Sequence, residues 1–97
     1  MKTGIELIAE ERNEQVFKHN CSVKYDAENN KDMQLSKAAQ RLIMPYTHWK
    51  TTICPNKWPK LIWRKMVQKE YKDRLIIAGA LIAAEIDRLQ YLEDHDV

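Results

Sequence analysis

The sequence predicts an all-α protein: a compact bundle of three to four helices, with a polar loop after the first and an irregular Trp/Pro/Lys-rich connection before the third. Three observations carry that expectation. Only two glycines, Gly4 and Gly79, occur in 97 residues, too few for the tight turns of an all-β chain. Apolar residues recur at helical spacings of three and four. A composition of 44% hydrophobic and 31% charged residues suits a globular chain with one core, and the length leaves no room for a second domain beside residues 1–97.

Thr3-Gly4-Ile5-Glu6 has the form of a capping box, in which the hydroxyl and the carboxylate satisfy amide donors that a first turn leaves free. A first helix is expected from there to about Lys18, with Ile5, Ile8, Ala9 and Val16 near one stripe. His19 to Lys31 is polar and aperiodic, which predicts the loop, with a turn at Glu28-Asn29-Asn30. Asp32 suits the N-cap of a second helix whose inward residues are Leu35, Ala38, Ala39, Leu42 and Ile43. Pro45 disfavours helical geometry at Met44 and ends it.

Tyr46 to Trp58 reads as irregular. Pro59 fits the first turn of a third helix, where its missing amide hydrogen costs nothing. Ile62, Trp63, Met66 and Val67 make its apolar side, and Lys60, Arg64, Lys65, Lys69 and Lys72 cover much of the remainder. A fourth helix, or a continuation of the third, holds DRLIIAGALIAAEIDRLQYLE, with Asp73 as its candidate cap. Every position from Leu75 to Ala84 is apolar or glycine, so this helix is expected to be buried on more than one side. It is either the central pillar of the bundle or a homo-oligomer interface through Leu75–Leu89. The tail, about residues 93–97, is expected to fray.

The N-terminus turns acidic without an apolar stretch, which predicts no signal peptide. The longest apolar run is about half of the roughly 20 residues that span a bilayer. A cytoplasmic protein with no membrane partner is the expectation, and Cys21 and Cys54 are too few for a disulfide framework. His19, Cys21, His48 and Cys54 match no recognised zinc spacing, so no metal site is expected from them.

Charge is unevenly spread. Residues 1–44 balance seven Lys/Arg with seven Asp/Glu, residues 45–74 hold eight against two, and residues 75–97 hold one against five. The basic segment includes WKTTICPNKWPKLIWRK, which carries all three tryptophans. Trp49, Lys50, Lys57, Trp58, Lys60, Arg64 and Lys65 are therefore the candidate binding residues, since rigid aromatic faces beside cations suit protein hot spots and single-stranded nucleic acids. A structural role competes at two of the three tryptophans: Trp63 fits the inward side of the third helix, and Trp58 before Pro59 can staple its entry.

Several segments together resemble a group of short phage- and prophage-encoded proteins: GIELIAEER with Gln15, the polar YDAENNKD, the LxxAA of Leu35 to Ala39, Trp58-Pro59, and the closing AGALIAAEIDRL of Ala78 to Leu89. That group is distantly similar to the all-α nucleoside triphosphate pyrophosphohydrolases of the MazG type, which hold Mg²⁺ with an E-x-x-E and an E-x-x-D pair. The resemblance maps those pairs onto Glu11, Glu14, Glu70 and Asp73, although E-x-x-E is also common on any solvated helix.

Three functions follow as expectations. The first is a non-catalytic binding protein, needing no cofactor, that docks its basic aromatic segment onto an acidic protein or a ribonucleoprotein with a possible RNA contact, in its specific form an anti-CRISPR-type inhibitor acting in the host cytoplasm. The second is a Mg²⁺-dependent pyrophosphohydrolase using the four carboxylates. The third is a direct nucleic-acid-binding module.

Overall fold

The computed structural model describes residues 1–18, 22–45 and 52–95. Among them are five helices and no strand: α1 (Gly4–Phe17), α2 (Val23–Asn29), α3 (Gln34–Leu42), α4 (Lys60–Val67) and α5 (Tyr71–His95). The all-α expectation holds, with more helices than the three to four expected. α5 is the pillar: α1, α2 and α3 pack against it, and α4 meets it more sparingly. No helix of the described residues is long and apolar enough to cross a membrane.

The capping box forms as the sequence predicts, with Glu6 N–H donating to Thr3 Oγ1 and Thr3 N–H to Glu6 Oε1, both at 3.2 Å. The apolar stripe of α1 forms only in part. Ile8 and Val16 are half-buried, but Ala9 is exposed, Ile5 is 82% exposed, and Gln15 is the residue this helix buries. α1 approaches α5 at Gly79, where an added Cβ would stand 2.6 Å from Ile8 Cδ1 and 2.9 Å from its Cγ1. The glycine supplies the space that Ile8 fills.

The expected polar loop instead contains α2. Ser22 caps it by accepting from Tyr25 N–H at 3.1 Å, and its Asp26 and Ala27 are buried. Seven residues with no apolar stripe give no periodic signal; docking onto α5 stabilises this helix where propensity alone would not. α3 buries Leu35, Ala38, Ala39 and Leu42 as expected, but Ile43 lies just beyond the helix and is exposed. Its cap position is Met33, in the left-handed region at φ 62°, rather than Asp32. Gln34 explains the shift: its Oε1 accepts from Asp32 N–H at 2.8 Å, while its Nε2 donates to Asn29 O and Asn56 O.

Pro59 is the N-cap of α4 rather than a residue of its first turn. α4 and α5 are separate helices, and α5 starts at Tyr71, so Asp73 sits inside its first turn instead of capping it. At the other end α5 is helical to His95, past the point where fraying was expected; Val97 and Asp96 lie outside the described residues, as do His19 to Cys21 and Tyr46 to Thr51. The core joins Leu35, Ala38, Ala39 and Leu42 to Trp63 and Val67 of α4 and Ile77, Ala78, Leu81 and Ala84 of α5.

Arg74 holds the end of α3 in place. It is 4% exposed; Nη1 donates to Leu42 O at 2.8 Å and to Met44 O at 2.5 Å, Nη2 to Pro45 O, and Nε to Lys69 O. A cation at a helix C-terminus satisfies carbonyls that the helix leaves without donors and complements its dipole. This cation of the basic segment is therefore architectural.

Candidate functional site

Of the sequence-predicted binding residues, Trp49 and Lys50 lie outside the described residues. Lys57, Lys60, Arg64 and Lys65 are exposed. Trp58 is half-buried, packs edge-on against the buried Trp63 with ring centroids 6.1 Å apart, and donates from Nε1 to Asn30 Oδ1 at 2.8 Å. That pairing gives Trp58 the stapling role. Apolar surface beside the cations comes from Ile53, Leu61 and Ile62, which are 71%, 65% and 50% exposed.

The spacing on α4 orders this surface. Trp63 and Val67 face the core, so Lys60 and Arg64, then Leu61 and Lys65, then Ile62 succeed one another across the outward side. Before the helix, Trp58 N–H donates to Pro55 O at 3.1 Å, closing a turn in which Lys57 has φ 68°. Glycine or asparagine is the usual occupant of such a position. A lysine held there presents its ammonium at the turn's tip at a cost in backbone energy, the kind of local strain that accompanies function. No Asp or Glu occurs anywhere between Asp32 and Glu70, so nothing in α3, α4 or their connection neutralises these cations from within.

The residues of the hydrolase reading partly converge. Glu11, Glu14 and Asp73 line one cleft of about 340 Å³ between α1 and the start of α5, with Leu7, Glu10, Lys69, Ile76 and Ile77. Glu70 is not among its lining residues. Glu11 Oε2 accepts from Gln15 Nε2 at 3.5 Å, and Glu14 pairs with Lys18 at 3.1 Å. Among the described residues no three His, Cys, Asp or Glu side chains gather closely enough to hold a metal ion. The present side-chain positions therefore do not form the four-carboxylate set.

A third charged group escaped the sequence reading. Asp26 of α2 is 1% exposed and Arg88 of α5 is 4% exposed. Asp26 Oδ1 accepts from Asn30 Nδ2 at 2.9 Å, whereas Oδ2 has no hydrogen bond and lies 3.9 Å from Arg12 Nη2. Arg12 also reaches Asp87 Oδ2 at 3.4 Å, and Arg88 makes a two-pronged contact with Glu85. Burial pushes the Asp26 carboxyl up to about 6, against the opposing pull of Asn30 and Arg12. A signal for Arg88 existed: it continues the inward series Ile77, Leu81, Ala84 at helical spacing. Asp26 had none, because its helix was not visible.

No known family, curated protein or solved structure matches this chain.

Proposed function

We propose that this chain is a non-catalytic binding protein that docks the basic surface around α4 onto an acidic protein or ribonucleoprotein. One observation carries the reading: Lys57, Lys60, Arg64 and Lys65 stand exposed among Ile53, Leu61 and Ile62, in a stretch free of carboxylates. Cations steer the encounter and fix register, while the apolar side chains gain by leaving water. Together they suit a partner whose acidic rim surrounds an apolar centre. The resemblance to short phage proteins gives the specific form, an inhibitor of a host-defence nuclease complex of the anti-CRISPR type, whose guide RNA and nucleic-acid channel are both negatively charged.

The experiment is a pull-down from prophage-bearing cells, with and without nuclease treatment, using the wild-type chain and the variant Lys57→Glu/Lys60→Glu/Arg64→Glu/Lys65→Glu. Loss of the partner in the variant at unchanged stability supports the reading. Unchanged affinity removes it. Capture of naked nucleic acid alone, with a steep loss on raising salt, would assign a nucleic-acid-binding module instead.

The shared cleft favours a second reading, a Mg²⁺-dependent nucleoside triphosphate pyrophosphohydrolase. Glu11, Glu14 and Asp73 line the cleft and would supply oxygen ligands for a hard cation once their side chains close on it, and Lys69 would meet phosphate oxygens. It predicts Mg²⁺-dependent pyrophosphate release that Glu14→Gln abolishes. Absence of release from any nucleoside triphosphate sets it aside.

A further inference from the structure

Asp26 stands at one end of a line of side chains whose other end is Trp58. Asn30, 4% exposed at the end of α2, has both halves of its amide engaged: Nδ2 donates to Asp26 Oδ1 at 2.9 Å, and Oδ1 accepts from Trp58 Nε1 at 2.8 Å. Trp58 in turn lies between Lys57, in its left-handed turn position, and Lys60, the first residue of α4. A displacement of Asn30 is therefore carried to the segment bearing those two cations.

The charge on Asp26 is poorly matched where it sits. Around it stand Arg12 of α1, Asn30 of its own helix, and Glu85 and Arg88 of α5, with Asp87 of α5 paired to Arg12. Both cations have other partners: Arg12 Nη2 lies 3.4 Å from Asp87 Oδ2 against 3.9 Å from Asp26 Oδ2, and Arg88 grips Glu85 with two nitrogens. With Asp26 ionised, three carboxylates share two guanidinium groups; with Asp26 protonated, the charges balance. A buried carboxylate in surplus is relieved by a proton or by water, and water reaches it only where the covering chain yields. α2 is the element able to yield, since seven residues hold a helix only while docked, here on α5.

We infer that α2 is a latch, closed when Asp26 carries a proton and loosened when it is ionised, and that the Asn30–Trp58 link passes its state to the basic surface around α4. The consequence for recognition rests on the docking function proposed above; the link itself does not. Acid fixes the start of α4 in one arrangement and lowers the ordering cost of capture, and neutral pH restores that cost.

The Trp58 indole N–H resonance, assigned with Trp58→Phe, reports the link without any partner. In the wild-type chain it is expected to shift with the same midpoint as the Asp26 carboxyl, about 6, and to stay still in Asp26→Asn, which keeps an acceptor for Asn30 and has no charge to gain. Between pH 5.5 and pH 7.5, capture of the partner recovered in the pull-down should fall about threefold more for wild type than for Asp26→Asn. An Asp26 carboxyl that titrates while the Trp58 resonance stays still overturns the latch, as does a Trp58 shift that persists in Asp26→Asn, the mark of another titrating group. Equal pH dependence of capture in the two chains overturns its role in recognition. Should charge reversal on α4 leave capture unchanged, the docking function falls, and the Trp58 resonance still decides the latch.

Discussion

The surface of α4 and the centre between α1, α2 and α5 use charge in opposite ways. Lys60 and Lys65 stand in water, where a charge costs folding little and remains available to a partner. Asp26 and Arg88 are buried, where a charge is retained only at a desolvation cost that its neighbours must offset. The same residue types therefore serve recognition in one place and architecture in the other, and solvation decides which. Arg74 makes the difference sharpest, because it lies in the basic segment by sequence and among the buried charges by structure.

The largest effect should come from removing that arginine. Arg74→Met strips the donors from Leu42, Met44 and Pro45 carbonyls at the end of α3, and a loss of about 3–5 kcal/mol is expected in urea denaturation. Arg74→Lys should recover only part of it, since an ammonium cannot span the same carbonyls. A loss within about 0.5 kcal/mol, as for an exposed arginine, would erase the distinction between the two regions.

Asp26 should give the next effect, and in the unusual direction. Its carboxyl titrates near 3.8 when unfolded and about 6 when folded, so between those values the native state keeps a proton that the unfolded chain has released. Stability from this group is therefore highest in acid and falls by about 3 kcal/mol as pH rises through that window, levelling off above it. Asp26→Asn, which preserves an acceptor for Asn30, is expected to be more stable than wild type at pH 7 and to lack the decline. Thermal melts from pH 4 to pH 7 measure both; a less stable variant at pH 7 would mean that Arg12 and Arg88 outweigh burial.

The smallest effect belongs to the exposed region. Lys57→Gly relieves a left-handed residue and should stabilise the fold by up to about 1 kcal/mol while weakening partner capture. A gain in stability with undiminished capture would separate the strained turn from recognition.

The sequence by itself determined what depends on neighbours in the chain. The capping box of α1, the inward face of α3, the burial of Trp63 and the existence of α5 all follow from cap chemistry and helical spacing. It also located the basic segment and paired Glu11 with Glu14 on one helix. Tertiary structure alone decided what depends on which segments dock: α2, the placement of Gln34 against Asn29 and Asn56, and the Trp58–Asn30 contact that selects the staple from the two roles the sequence offered for Trp58. It also decided which side of α5 became core, and that Asp73 shares a cleft with Glu11 and Glu14 while Glu70 does not. The physical reason is range. Hydrogen bonds within a turn and apolar periods are written in adjacent residues, whereas the solvation of a charge is set by chain that is distant in sequence and packed over it.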